Sequence, residues 1–149
     1  MVAYFRAIEA ALFGVRLMPG GVSDAGEIER AINAVVAAQN GGLIVTPSNV
    51  TTANHELIIG QAARHRLRAV YASRFFAVNG GLMSHGVDAA DLYRGAASYI
   101  DQILHGAKPA DLPVQLPTKF DLTINLKTAK AVGLEIPSTL LAEADGVIE

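Results

Sequence analysis

The 149-residue chain contains no cysteine and no tryptophan. Without thiols it has no disulfides, no thiolate metal sites and no cysteine nucleophile, while the compartment stays open. Charge is sparse as well: 17% of residues are charged, for a formal net charge of -2. A surface so thinly charged offers no basic stripe to a nucleic acid backbone, and no nucleic acid partner is expected. No apolar run reaches the ~20 residues that a membrane-crossing helix needs, so the chain is not expected to span a membrane. Met1 to Phe13 lacks the basic start and unbroken apolar stretch of a signal peptide, so no export signal is expected in the chain as written.

Chemistry-bearing motifs are missing too. His55-Glu56 opens like a zinc-protease helix, but Ile59 stands where the second histidine would be needed. His55, His65, His85 and His105 have no partner three or four residues away, so no metal site is expected. Gly81 to Gly86 (GLMSHG) approaches a nucleophile elbow, with the glycine spacing off by one. There is no glycine-rich phosphate loop, and no cofactor is expected. A small-molecule hydrolase or isomerase therefore has little support from the residues, and a purely structural or dimerisation module remains a third reading.

What the chain does have is apolar content, 51% of residues, enough for one good core at this length. Val2 to Leu12 has helical spacing, and Val15 to Met18 reads as a short strand. Asp24 and Glu27 have capping-box spacing ahead of Ile28, Ile32, Val35 and Val36 on one helical face. Asn40-Gly41-Gly42 turns into Leu43-Ile44-Val45-Thr46, an apolar run suited to a buried parallel strand. One helix is expected to start around Thr52 to Asn54 and run towards Arg66, capped by Thr51, Thr52 or Asn54, then a strand at Ala69-Val70-Tyr71 and a loop from Ala72 to Gly81. Asp88 or Asp91 opens a helix with the apolar stripe Leu92, Ala96, Tyr99, Ile100 and Ile103. Pro109, Pro113 and Pro117 mark an extended connector. Phe120, Leu122 and Ile124 alternate with Asp121, Thr123 and Asn125, which predicts a strand with one wet face. Two short helices close the chain, one over 127–132 and one after Pro137. Alternating helices and strands give an α/β fold: three layers, with a mainly parallel sheet between helices.

Two loops stand where such sheets bind ligands, past the C-terminal ends of the strands. The first holds Ser48, Asn49 and Thr51, short polar groups beside a helix N-terminus. The second, after the next strand, holds Ser73 and Arg74 ahead of Phe75 and Phe76.

At these loops the chain resembles the ABC transporter substrate-binding protein family, whose best-known members take up aromatic amino acids. The stretches that carry the likeness are Gly42 to Thr51 (GLIVTPSNVT), Ala69 to Phe76 (AVYASRFF), Gly80 to Asp88 (GGLMSHGVD) with its helix through Gly106 to Pro113 (GAKPADLP), and Pro117 to Leu134 (PTKFDLTINLKTAKAVGL). The resemblance runs from about Tyr4 to the end and implies one lobe of a two-lobed, type I periplasmic-binding-protein-like fold whose lobes close on a solute by a hinge. It implies a single unit over 1–149, with a lobe core of about 1–86. The helix at 88–105 and the tail 117–149 would cross between lobes in relatives about twice this length. Ser48, Asn49, Thr51, Ser73, Arg74 and Ser84 become the expected ligand-binding set, with Ser48-Asn49 where the family's amino-acid binders carry an Asp-Asn pair. The expected ligand is an amino acid or similar small polar solute, held weakly or not at all by half a clamshell. An ABC permease is the partner in full-length relatives, which are periplasmic or extracytoplasmic, whereas this chain without a leader would stay cytoplasmic. Because the chain begins inside a helix, the lobe's opening strand is expected to be missing, and a homo-oligomer with exchanged segments is expected to fill the gap.

Overall fold

A computed structural model describes residues 17–39 and 41–149. The expected helix at 2–12, the first half of the strand at 15–18 and the turn residue Asn40 lie outside them. Leu17 and Met18 are not in a strand. In chain order the elements are α1 (Ala25–Ala37), β1 (Gly42–Val45), α2 (Asn49–Ala53), α3 (His55–Arg64), β2 (Arg68–Tyr71), α4 (Arg74–Val78), β3 (Met83–Val87), α5 (Ala89–Leu104), a 3-10 turn (Pro109–Asp111), β4 (Phe120–Asn125), α6 (Leu126–Ala131), α7 (Ser138–Ala142) and β5 (Gly146–Ile148).

The strands form one mixed sheet in the order β1-β2-β3-β4-β5. β1, β2 and β3 run parallel, β4 pairs antiparallel with β3, and β5 runs parallel with β4. The expected α/β class with a mainly parallel sheet is what the chain adopts. Register puts Val45, Tyr71, Ser84, Thr123 and Gly146 across one face. On that face Ile28 and Ile32 of α1 and Ile58 and Ala62 of α3 join Ala69, Tyr71 and Phe76 in the core. Phe76 stacks on Tyr71 with ring centroids 4.8 Å apart. Burial pushes the Tyr71 phenol up to about 12, which keeps it a neutral core residue. On the opposite face Ile124 is fully buried, while Ile44 and Val147 on the outer strands are 66% and 44% exposed.

Several local expectations are corrected. The helix expected to start around Thr52 to Asn54 is α3, which begins at His55, and an unforeseen short helix, α2, precedes it; the Asn54 side-chain amide donates to Val50 O at 2.8 Å at the break between them. Of the expected caps, Asn54 stands at the N-cap of α3 without a side-chain cap bond, and Ser48 caps α2. Asp24 caps α1 as its spacing implies, but Glu27 reaches back to Ser23, not to Asp24. Arg74–Val78 is a helix where a loop was expected, and the strands Met83–Val87 and β5 are unforeseen. The wet face of β4 is not wet: Thr123 and Asn125 are buried beneath α4. They tolerate burial because their bonds are made internally. Thr123 Oγ1 donates to Asp121 Oδ1, and Asn125 Nδ2 donates to Ala77 O while its Oδ1 accepts from Thr128 N.

Candidate functional site

The C-terminal ends of β1, β2 and β3 share one edge of the sheet. β4 runs the other way, so its beginning, Lys119 to Asp121, reaches that same edge; Val87 pairs with Phe120 and Gly86 with Asp121. Between the ends of β1 and β2 lies a pocket of about 100 Å3, lined by Val45, Pro47, Thr52, Ala72, Ser73, Phe75 and Phe76. Phe75 and Phe76 make part of its wall aromatic, and the His55 ring, outside the lining, meets Phe75 edge-on at 4.7 Å.

The expected residues divide. Ser48 and Thr51 form a reciprocal capping box, with Ser48 Oγ accepting from Thr51 N at 3.1 Å and Thr51 Oγ1 accepting from Ser48 N at 3.1 Å. Thr51 Oγ1 also donates to Thr46 O and is nearly buried, so its hydroxyl is spent on the turn. Asn49 is exposed, with no side-chain hydrogen bond among the described residues. Ser73 lines the pocket and caps α4, its Oγ accepting from Phe75 N at 3.3 Å. Arg74 does not line it. Its guanidinium reaches over the sheet to Asp121 Oδ2, 3.3 Å away, and rests above Gly146, where an added Cβ would stand 2.9 Å from Nη1. Ser84 is fully buried, and its Oγ has no hydrogen-bond partner among the described residues. It faces the same way as Val45, Tyr71 and Thr123, under α4, but is not among the residues that line the pocket.

Two residues at this edge escaped the sequence reading. Asp121 was assigned to a solvated face, and only the antiparallel direction of β4 brings it to the site. Gly86 is the other: the β2–α4 loop passes so close that a Cβ there would come within 2.0 Å of Ala72 O. Glycine at 86 is what lets Ser73 sit beside the pocket. No three His, Cys, Asp or Glu side chains gather to hold a metal among the described residues, nor is any helix there long and apolar enough to cross a membrane.

The chain matches the sequence model of the family described as ABC transporter substrate binding protein over residues 3–148. No curated protein matches it. Among solved structures it is similar to an ABC domain in complex with L-Trp from Streptococcus pneumonia, 27% identical with a TM-score of 0.84, covering 99% of this chain and 49% of that one. A conserved domain protein from Vibrio cholerae is 24% identical with a TM-score of 0.84, over 98% of this chain and 49% of that one. A ligand-free, open substrate binding protein with adhesive properties from Clostridium difficile is 19% identical with a TM-score of 0.70, over 99% and 48%. The last two bear on the fold alone. The chain thus spans about half the length of these structures.

Proposed function

This chain belongs to the ABC transporter substrate binding protein family, and we propose that it acts as one lobe of a solute-capturing site, without catalysis of its own. The observation that carries this is the pocket between the ends of β1 and β2, set at the edge where open α/β sheets take ligands. Ser73, Thr52 and the neighbouring backbone supply polar contacts there, with exposed Asn49 in the same loop, while Phe75 and Phe76 supply an apolar wall. A small solute with both a polar head and an apolar side fits that mixture, and amino acids with aromatic or branched side chains are the class we assign. The L-Trp held by the similar streptococcal domain supports the choice. Arg74 takes part only if the ligand draws it from Asp121, and Ser84, fully buried and outside the lining, makes no direct contact. The partner downstream is an ABC permease, on the extracytoplasmic side of the membrane.

A single lobe leaves half of a bound solute in water and forfeits much of the burial that drives affinity. Calorimetry against aromatic and branched amino acids is therefore expected to give dissociation constants weaker than about 1 μM. A sub-micromolar fit would overturn the half-site reading. A second reading rests on α5, where Leu92, Ile100 and Leu104 are 48%, 58% and 80% exposed on a helix with no buried residue. Exposed stripes of this kind favour self-association. Light scattering tests it, and a clean monomer mass at micromolar concentration would sink it.

A further inference from the structure

Residues 89–118 leave the sheet after β3 and return to it at β4. In between they hold α5, the 3-10 turn and the extended connector. The segment folds on itself, with Tyr99 OH donating to Pro113 O. Among the described residues, every hydrogen bond that reaches from it to the rest of the chain ends on Asp88. The N–H of Asp91 donates to Asp88 Oδ1 at 3.1 Å, and the N–H of Leu92 donates to Asp88 O at 3.1 Å. Asp88 is in turn held by Lys119 on the returning strand. Its N–H donates to Lys119 O at 3.0 Å, and Lys119 Nζ stands 3.0 Å from Asp88 Oδ2.

The two carboxylate oxygens of Asp88 therefore face different bodies, one the first turn of α5 and the other the entry to β4. We propose that Asp88 and Lys119 form a directional clip that fixes the angle at which α5 leaves the sheet. The lever is long: 16 residues at about 1.5 Å each give about 24 Å, so a turn of about 10° at the clip moves the far end by about 4 Å. The Asp88 and Lys119 side chains are 20% and 58% exposed, so the pair contributes little to overall stability. Its effect is angular, because no buried side chain of α5 holds the helix in place. The local charges agree with that use. Lys119 first, then the Asp91 N–H, hold the Asp88 carboxyl below its ordinary range, and Asp88 holds the Lys119 ammonium above its own. Arg94 opposes Lys119 but is itself occupied by Asp91 at 2.6 Å.

The chain has no cysteine, so spin labels placed at Ala97→Cys on α5 and Arg64→Cys on α3 report one distance without background. The protein with its native clip should give a narrow distance distribution. Asp88→Asn keeps a good helix cap but loses the ion pair, and Lys119→Met loses the pair alone. Both should broaden the distribution to the same extent, the double variant should add nothing further, and circular dichroism should show unchanged helix content. A distribution already broad before substitution, or one left unchanged by either variant, overturns the clip. Broadening by Asp88→Asn alone overturns it too, since the cap or backbone would then set the direction. The experiment needs no ligand, so its failure leaves the solute-capture reading standing, and the reverse holds.

Discussion

The body of the lobe and the segment 89–118 are built from similar apolar residues and cohere by different means. In the body, Ile28, Ile58, Tyr71, Phe76 and Ile124 are each at most 4% exposed, and burial holds the parts together. In the segment, Leu92, Tyr93, Ile100 and Leu104 stand in water, and a backbone bond with one ion pair joins it to the sheet. Amphipathic patterning reports that a face wants a cover; it does not report whether the same chain supplies one. Position relative to the sheet decides that.

The contrast breaks hardest in the core. Phe76→Ala should cost about 3–5 kcal/mol in denaturant unfolding, since it removes the ring stacked on Tyr71. Leu104→Ala removes a comparable apolar group that is 80% exposed, and should stay within about 0.5 kcal/mol. Equal costs at the two sites would erase the distinction. Gly86→Ala comes next, because the added methyl meets the Ala72 carbonyl. It should cost about 1–3 kcal/mol and displace Ser73, so that amide shifts spread through 72–76. Ser48→Ala removes one half of the cap on α2 and should cost about 1 kcal/mol, read as a lower unfolding midpoint.

The smallest effect is that of pH on the clip. The Asp88 carboxyl lies below its ordinary range in the folded chain, so its contribution is present above the usual aspartate value and fades as pH falls through the lowered one. Lys119 lies above its range, so its share is present below the usual lysine value and is lost as pH rises through the raised one. Amide exchange at Asp91 and Leu92 should therefore slow between these limits relative to the acid end, after correction for intrinsic rates. A flat corrected profile would remove the ion pair from the account.

How much was legible follows the same division. Strands with continuous apolar runs, Leu43 to Val45 and Ala69 to Tyr71, could be read from those runs, but the buried parallel strand expected at the first is an edge strand with Ile44 66% exposed, because nothing in an apolar run says which strand ends the sheet. β3 could not, since Met83-Ser84-His85-Gly86-Val87 carries neither an apolar run nor clean alternation, and only its partners on both sides make it a strand. The polar side of β4 was misread because Thr123 and Asn125 are satisfied by residues two to 48 positions away, which spacing cannot show. At the site, the loop after β1 and Ser73 were readable from strand-end position. Arg74 was expected in a loop but opens α4, and its direction depends on Asp121 and Gly146, far along the chain.

The central claim is that this lobe takes a solute at the edge formed by the ends of β1 and β2. It is tested most directly by following backbone amide resonances while L-tryptophan, then other aromatic and branched amino acids, are added to millimolar concentration. The account predicts shifts concentrated in residues 46–52 and 72–76, with Ser73 and Phe75 among the largest, and α5 unmoved. No response to any of them, or a response centred on α5 or on the far edge of the sheet, would contradict it.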